Sequence, residues 1–147
     1  MGKGETTMAP REGRKAQVRV WLEGLFADEQ ATLTAALFAP DAVVHTAAGP
    51  RTPAVYGPMA LGIRAAMSEP RIAVEEVLAE GETVVARWTL QGKHTEGPAY
   101  GVAPAGVEVQ VPGVSFLYFR DDLVREIVDI EATLALLRQL GVPVPRP

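Results

Sequence analysis

The chain contains no cysteine, which excludes disulfide stapling, thiolate nucleophiles and cysteine-ligated zinc. Histidine is almost as scarce. The two present, His45 and His94, share no helix face and lack zinc-site spacing, so no metal is expected. No run approaches the ~18 consecutive apolar residues of a membrane span. The opening stretch MGKGETTMAPREGRK lacks the apolar segment of a secretion signal. A cytoplasmic protein without a membrane partner is expected. The start MGKGET matches the loose myristoylation pattern, but no polybasic second signal follows, so it reads as a leader. Basic charge is also limited. With 14 basic against 18 acidic side chains and no basic run beyond REGRK at 11–15, the footprint of a nucleic-acid binder is missing. Nor is there a G-x-S-x-G elbow, a P-loop or a dinucleotide-binding G-x-G-x-x-G. Cofactor-free acid/base chemistry is what remains.

What is there is the composition of one folded domain: 147 residues, 48% hydrophobic and 22% charged. The reading divides the chain into a flexible leader at 1–15, one α+β domain at 16–141 and a proline-rich tail at 142–147. Val18, Trp21, Leu22, Leu25 and Phe26 form the stripe of an amphipathic helix over 11–27, with Pro10 near its first turn. DEQATLTAALF predicts a second helix, capped by Asp28 and ended by Pro40 and Asp41. AVVHT predicts a short strand, GPRTPAVYGP a loop and MALGIRAAMSE a third helix. From Arg71 the period changes to two. A hairpin turning at AEGE, a loop EGPAYGVAPAG with the composition of a lid or rim, a strand VEVQVPGVSFLYF bent or bulged at Pro112-Gly113, and a last strand LVREIVDIE follow. ATLALLRQLG is a closing helix stopped by Gly141. Strands that follow one another without crossover helices make an α+β fold. A bent sheet wrapped around helices leaves an open mouth suited to a small-molecule pocket.

Several polar residues interrupt apolar strands, and each has two readings. His94 shares a face with Trp88 and Leu90 under strict alternation; it either closes a strand at the surface or serves chemistry. Glu108 and Gln110 share a face, which is either the wet side of the sheet or the pocket. Arg87 is a buried partner for a carboxylate or an exposed strand residue. His45 is a satisfied core or rim histidine or a substrate contact, and Trp88 and Tyr56 are aromatic candidates for binding substrate. Asp129 is sharper. Val124, Ile127, Val128 and Ile130 cover both faces of its strand, so it has little solvent unless a cavity supplies it. Glu126 and Glu131 read as solvated rim charges.

The stretches LFAPDAVVHTA, VVARWTLQGKHTEG, PAGVEVQVPGVSFLYFRDD and LALLRQLG resemble the SnoaL-like polyketide cyclases of the nuclear-transport-factor-two-like superfamily. The resemblance runs from about Val18 to Gly141. It implies a cone-shaped α+β barrel, usually a homodimer, with a deep apolar cavity and no cofactor. Best-known members close a polyketide ring by intramolecular aldol condensation; relatives open epoxides, take part in ring hydroxylation or only bind ligands. The family histidine falls on His94, here in HTEG, and the family carboxylate seat after P-x-G falls on Glu108. The last strand departs from the family's Ile-x-Glu-x-Trp. Counting back from RQLG points to Glu126, whereas matching from the isoleucine points to Asp129, which the apolar surroundings favour.

The expectation is therefore a cofactor-independent cyclase or isomerase acting on an apolar polyketide-like substrate. Asp129, or alternatively Glu108, moves a proton and His94 orients it or polarises a carbonyl at the mouth. Epoxide opening by two carboxylates and a non-catalytic ligand-binding dimer are the rival expectations.

Overall fold

The computed structural model of the chain describes residues 5–145. The first four residues of the myristoylation-like start MGKGET and the last two residues of the tail lie outside the described residues. Helix α1 (Glu5–Glu23) leads to α2 (Gln30–Leu37), strand β1 (Phe38–Thr46), the short β2 (Gly49–Arg51), a 3-10 turn and α3 (Tyr56–Ala66). The long strands β3 (Met67–Glu80), β4 (Thr83–His94), β5 (Val107–Arg120) and β6 (Leu123–Glu131) follow, and α4 (Thr133–Leu140) closes the fold. One curved, unclosed sheet runs β2-β1-β6-β5-β4-β3. Only the β1–β6 pair is parallel among the described strands. The fold is α+β, as the period change at the centre of the chain predicts.

The apolar stripe of α1 supplies Val18, Trp21 and Leu22, all buried against the concave face of the sheet. That face carries Val84, Ala86, Trp88 and Leu90 from β4 and Val109, Val111, Leu117 and Phe119 from β5. The strict alternation of buried and exposed positions on β5 is the period-two signature of a sheet covered on one side. Two-residue turns join β3 to β4 and β5 to β6. Asp121 and Asp122 between β5 and β6 both take positive φ, 53° and 68°, which aspartate tolerates and which matches the strand twist.

Several boundaries differ from the sequence reading. Helix α1 begins at Glu5, inside the stretch read as leader and ahead of Pro10. Phe38 opens β1 rather than ending α2, because its buried ring packs edge-on to Trp21 at 5.0 Å. Asp28 makes no cap for α2; its carboxylate meets Arg64 at 3.3 Å instead. Gly49–Arg51 is a strand and β3 already starts at Met67.

The strand has no bulge against β4 at Pro112-Gly113, since that pairing runs unbroken from Val107 to Tyr118. The Pro112 carbonyl accepts from Ala132 N–H at 3.0 Å, so its nitrogen also faces the side where β6 has ended. No ladder donor is lost there. The bulge falls at Tyr118/Phe119 against β6. Beyond the end of β6, the free edge of β5 is completed by a side chain. The Gln139 amide accepts from Gln110 N–H and donates to Gln110 C=O, both at 2.8 Å, standing in for a strand. Gly141 then ends α4 with φ of 82°.

Candidate active site

Between α1, α3 and the concave face of the sheet lies a cavity of about 550 Å³. Most of its wall is apolar or aromatic: Trp21, Leu25 and Phe26 from the α1 side, Ile63 from α3, and Trp88 and Leu90 from β4. Space of that size beside a few convergent polar groups is the usual form of a small-molecule site. A smaller hollow of about 240 Å³ between α1 and α2 has no ionisable side chain in its lining.

Asp129 is the largely buried carboxylate in the wall. It lies on the concave face of β6, two residues after the fully buried Ile127, and its register partner on β5 is Ser115. Ser115 Oγ donates to Asp129 Oδ1 at 2.5 Å, and Tyr56 Oη donates to Oδ2 at 2.7 Å. Trp88 Nε1 donates to Ser115 Oγ at 2.9 Å. Tyr56 is held in turn by an aromatic cluster, edge-on to Trp21 at 5.0 Å and tilted against Phe38 at 5.8 Å. The far side of Trp21 is satisfied by Thr34, whose hydroxyl accepts the indole N–H at 3.0 Å and the Gln30 amide at 2.7 Å.

Burial pushes the Asp129 carboxyl above the ordinary carboxylate range; the hydrogen bonds from Ser115 and Tyr56 act in the opposite sense and are the smaller effects. Burial, reinforced by the negative charge of Asp129, pushes the Tyr56 phenol far above its usual value, so Tyr56 stays a donor. The arrangement is a desolvated carboxylate beside empty space, with hydroxyl donors on both oxygens and acceptor sites to spare. Such a group can take and return a proton.

The SnoaL-like polyketide cyclase family model matches residues 16–140. The chain belongs to that family. Among solved structures, this SnoaL-like chain is similar to AclR, a candidate hydroxylase from Streptomyces galilaeus, at 25% identity and a TM-score of 0.79, covering 93% of this chain and 86% of that one. It is also similar to IdmH, a candidate polyketide cyclase from Streptomyces antibioticus, at 23% identity and TM-score 0.74, covering 88% and 99%. A candidate SnoaL-like polyketide cyclase from Jannaschia Sp. CCS1 aligns at 21% identity and TM-score 0.77, covering 91% and 95%. A search of curated protein sequences found no match.

The family placement makes the positions of the expected site residues informative. Asp129, Tyr56, Trp88 and His45 line the cavity. His45 does so from the rim, where its Nε2 lies 2.6 Å from Glu126 Oε2 and both side chains are nearly half exposed. The other expected residues are elsewhere. His94 has the predicted facing, on the side of Trp88 and Leu90, but sits at the far end of β4, 1% exposed and outside the cavity lining. Its Nε2 donates to Gly97 C=O at 2.7 Å, and its own carbonyl accepts from Gly106 N–H at 2.9 Å. His94 thus ties both ends of the 95–106 loop together. That loop contributes nothing to the cavity lining, so it neither rims nor covers the space described here.

Glu108 and Gln110 occupy the convex face, because Val109 and Val111 take the inward positions of β5. Glu108 meets only Lys93, at 4.0 Å in solvent. Arg87 is likewise on the outer face, 3.5 Å from Glu76. None of these three lines the cavity.

Ser115 is the site residue that sequence reasoning missed. It is the one hydroxyl among the inward-facing Val109, Val111, Leu117 and Phe119 of β5, and that parity was available to find it. Glu131, read as a rim charge, does line the cavity, two residues beyond Asp129 on the same face of β6, with Thr133 Oγ1 donating to it at 3.2 Å. Among the described residues no three His, Cys, Asp or Glu side chains cluster as metal ligands would, and no helix is long and apolar enough to cross a membrane.

Proposed function

We propose that this protein is a cofactor-independent cyclase of a polyketide-like carbonyl compound, with Asp129 as general acid and base. The observation that carries the reading is a single desolvated carboxylate, held by Tyr56 and Ser115, facing an apolar cavity of about 550 Å³. The Asp129 carboxylate takes a proton from a carbon flanked by two carbonyls. The resulting enolate carbon attacks a second carbonyl of the same molecule, one carbon–carbon bond forms, and Asp129 returns its proton to the alkoxide. No atom is gained or lost, so the step needs no co-reactant. The apolar walls fold the chain so that its ends meet; orientation of this kind contributes roughly 7–11 kcal/mol in favourable cases. Turnover of a panel of linear and partly cyclised aromatic polyketides by wild type and Asp129→Asn, with circular dichroism to confirm folding, tests the reading. Full activity in the Asn variant removes Asp129 from the role.

Epoxide opening is the weaker reading, because the second carboxylate of the wall, Glu131, stands on the same face of β6 as Asp129. It needs an acid and a base on opposite sides of the ring, and oxygen-18 incorporation from water separates hydrolysis from internal cyclisation. Ligand binding with flat pH dependence and no conversion of any panel member would favour a carrier instead. The proposal extends to a homodimer, supported by apolar groups left open on the convex face, among them Tyr118 and Val43. Sedimentation distinguishes it from the 15.7 kDa monomer.

A further inference from the structure

Trp88, Gly113, Ser115 and Asp129 form one line across three strands. Trp88 on β4 and Gly113 on β5 are register partners, and Ser115, two residues further along β5, is the partner of Asp129 on β6. The indole crosses Gly113 so closely that a Cβ there would overlap its Cη2, Cζ2 and Cζ3 atoms. Only glycine leaves room for the ring to lie flat and bring its N–H to Ser115.

We propose that Trp88 is a positioning residue that fixes the direction of the Ser115 hydroxyl so that its proton goes to Asp129, with Gly113 as the gap that admits the indole. An indole N–H can only donate. The Ser115 oxygen must therefore accept from it, at 2.9 Å. Ser115 is fully buried, and Asp129 Oδ1 is the only acceptor its own proton reaches among the described residues. With Tyr56 donating to the other oxygen, both wall protons point at the carboxylate. A proton taken from substrate must enter at an acceptor site those donors leave free. Without the indole N–H, Ser115 can turn and accept from the neutral acid. The carboxylate then loses a donor, and the Asp129 midpoint moves up in the same sense as burial already drives it.

The inference rests on Asp129 as the acid/base group, but its test does not need turnover. Among the described residues, the titratable groups lining the cavity with Asp129 are Tyr56 from α3, His45 from β1 and Glu131 from β6; α1, β3, β4 and β5 add no ionisable side chain to that lining. Carbon-13 NMR of labelled aspartate carboxyls in the substrate-free full chain reads the Asp129 midpoint directly. Trp88→Phe and Ser115→Ala are each expected to raise it, by roughly half a pH unit or more. The double variant should match Ser115→Ala alone, because Trp88 acts through the serine. Gly113→Ala, which displaces the ring, should move with Trp88→Phe.

In the wild type, the Trp88 indole N–H resonance should titrate with the Asp129 midpoint, a readout that needs no variant to fold. An unchanged midpoint in Trp88→Phe, an equal shift on the Ser115→Ala background, or an indole resonance that ignores Asp129 each overturns the proposal. Retained turnover in Asp129→Asn would instead overturn the functional reading and leave the titration result standing.

Discussion

Two ionisable side chains with little solvent stand on the concave face of the sheet, and they do different work. His94 is 1% exposed and Asp129 is largely buried; each is hydrogen-bonded. His94 lies outside the cavity lining, with its Nε2 donating to Gly97 C=O. Beside Asp129 the wall stops and a cavity of about 550 Å³ begins. Burial alone therefore does not mark a site. What separates the two is room for a ligand beside the group.

The sharpest way to break this comparison is to remove each group in turn. Asp129→Asn is expected to lower turnover by about 10²–10⁴-fold, the usual worth of a positioned acid/base group, with the fold intact by circular dichroism. His94→Ala should leave turnover per folded molecule nearly unchanged. Its effect belongs in stability: urea unfolding should show a loss of about 1–3 kcal/mol, because Gly97 C=O loses its partner and a cavity opens. The reverse pattern, with His94→Ala inactive and fully stable, would move the chemistry to the wrong end of β4.

A smaller effect follows from the direction of the Asp129 shift. Its folded pKa lies above the unfolded value. The stability it contributes is thus fully present below the unfolded pKa and is lost as pH rises through the folded one. Unfolding free energies of wild type minus Asp129→Asn should fall with rising pH across that window and be flat outside it. The smallest expectation concerns the convex face. Glu108→Gln should leave turnover unchanged and alter stability by less than about 0.5 kcal/mol, since its contact with Lys93 is solvated.

The same contrast shows how far the sequence could be read. Element order, the α+β class and the burial of Asp129 were legible because apolar periodicity reports which face of an element is covered. The facing of His94 was legible for the same reason, but its depth along the strand was not. Alternation says inside or outside, never how far from the mouth. Glu108 stands in a V-E-V-Q-V run whose valines face inward, and it was the resemblance to the family's carboxylate seat that argued for a pocket role against that parity. The inward facing of Ser115 was available from parity, but its pairing with Asp129 was hidden because it depends on the β5–β6 register, which carries a bulge at Tyr118/Phe119 next to a two-aspartate turn. The Gln139 clamp on β5 was equally hidden, since an edge left bare by a neighbouring strand's end has no local signature.

Deuterium exchange at the carbon between the two carbonyls of a bound β-diketone, followed by proton NMR in heavy water, asks directly whether Asp129 moves protons in the cavity. The account predicts exchange well above the buffer rate in the wild type and a loss of about 100-fold or more in Asp129→Asn. Equal exchange in the two proteins would contradict it.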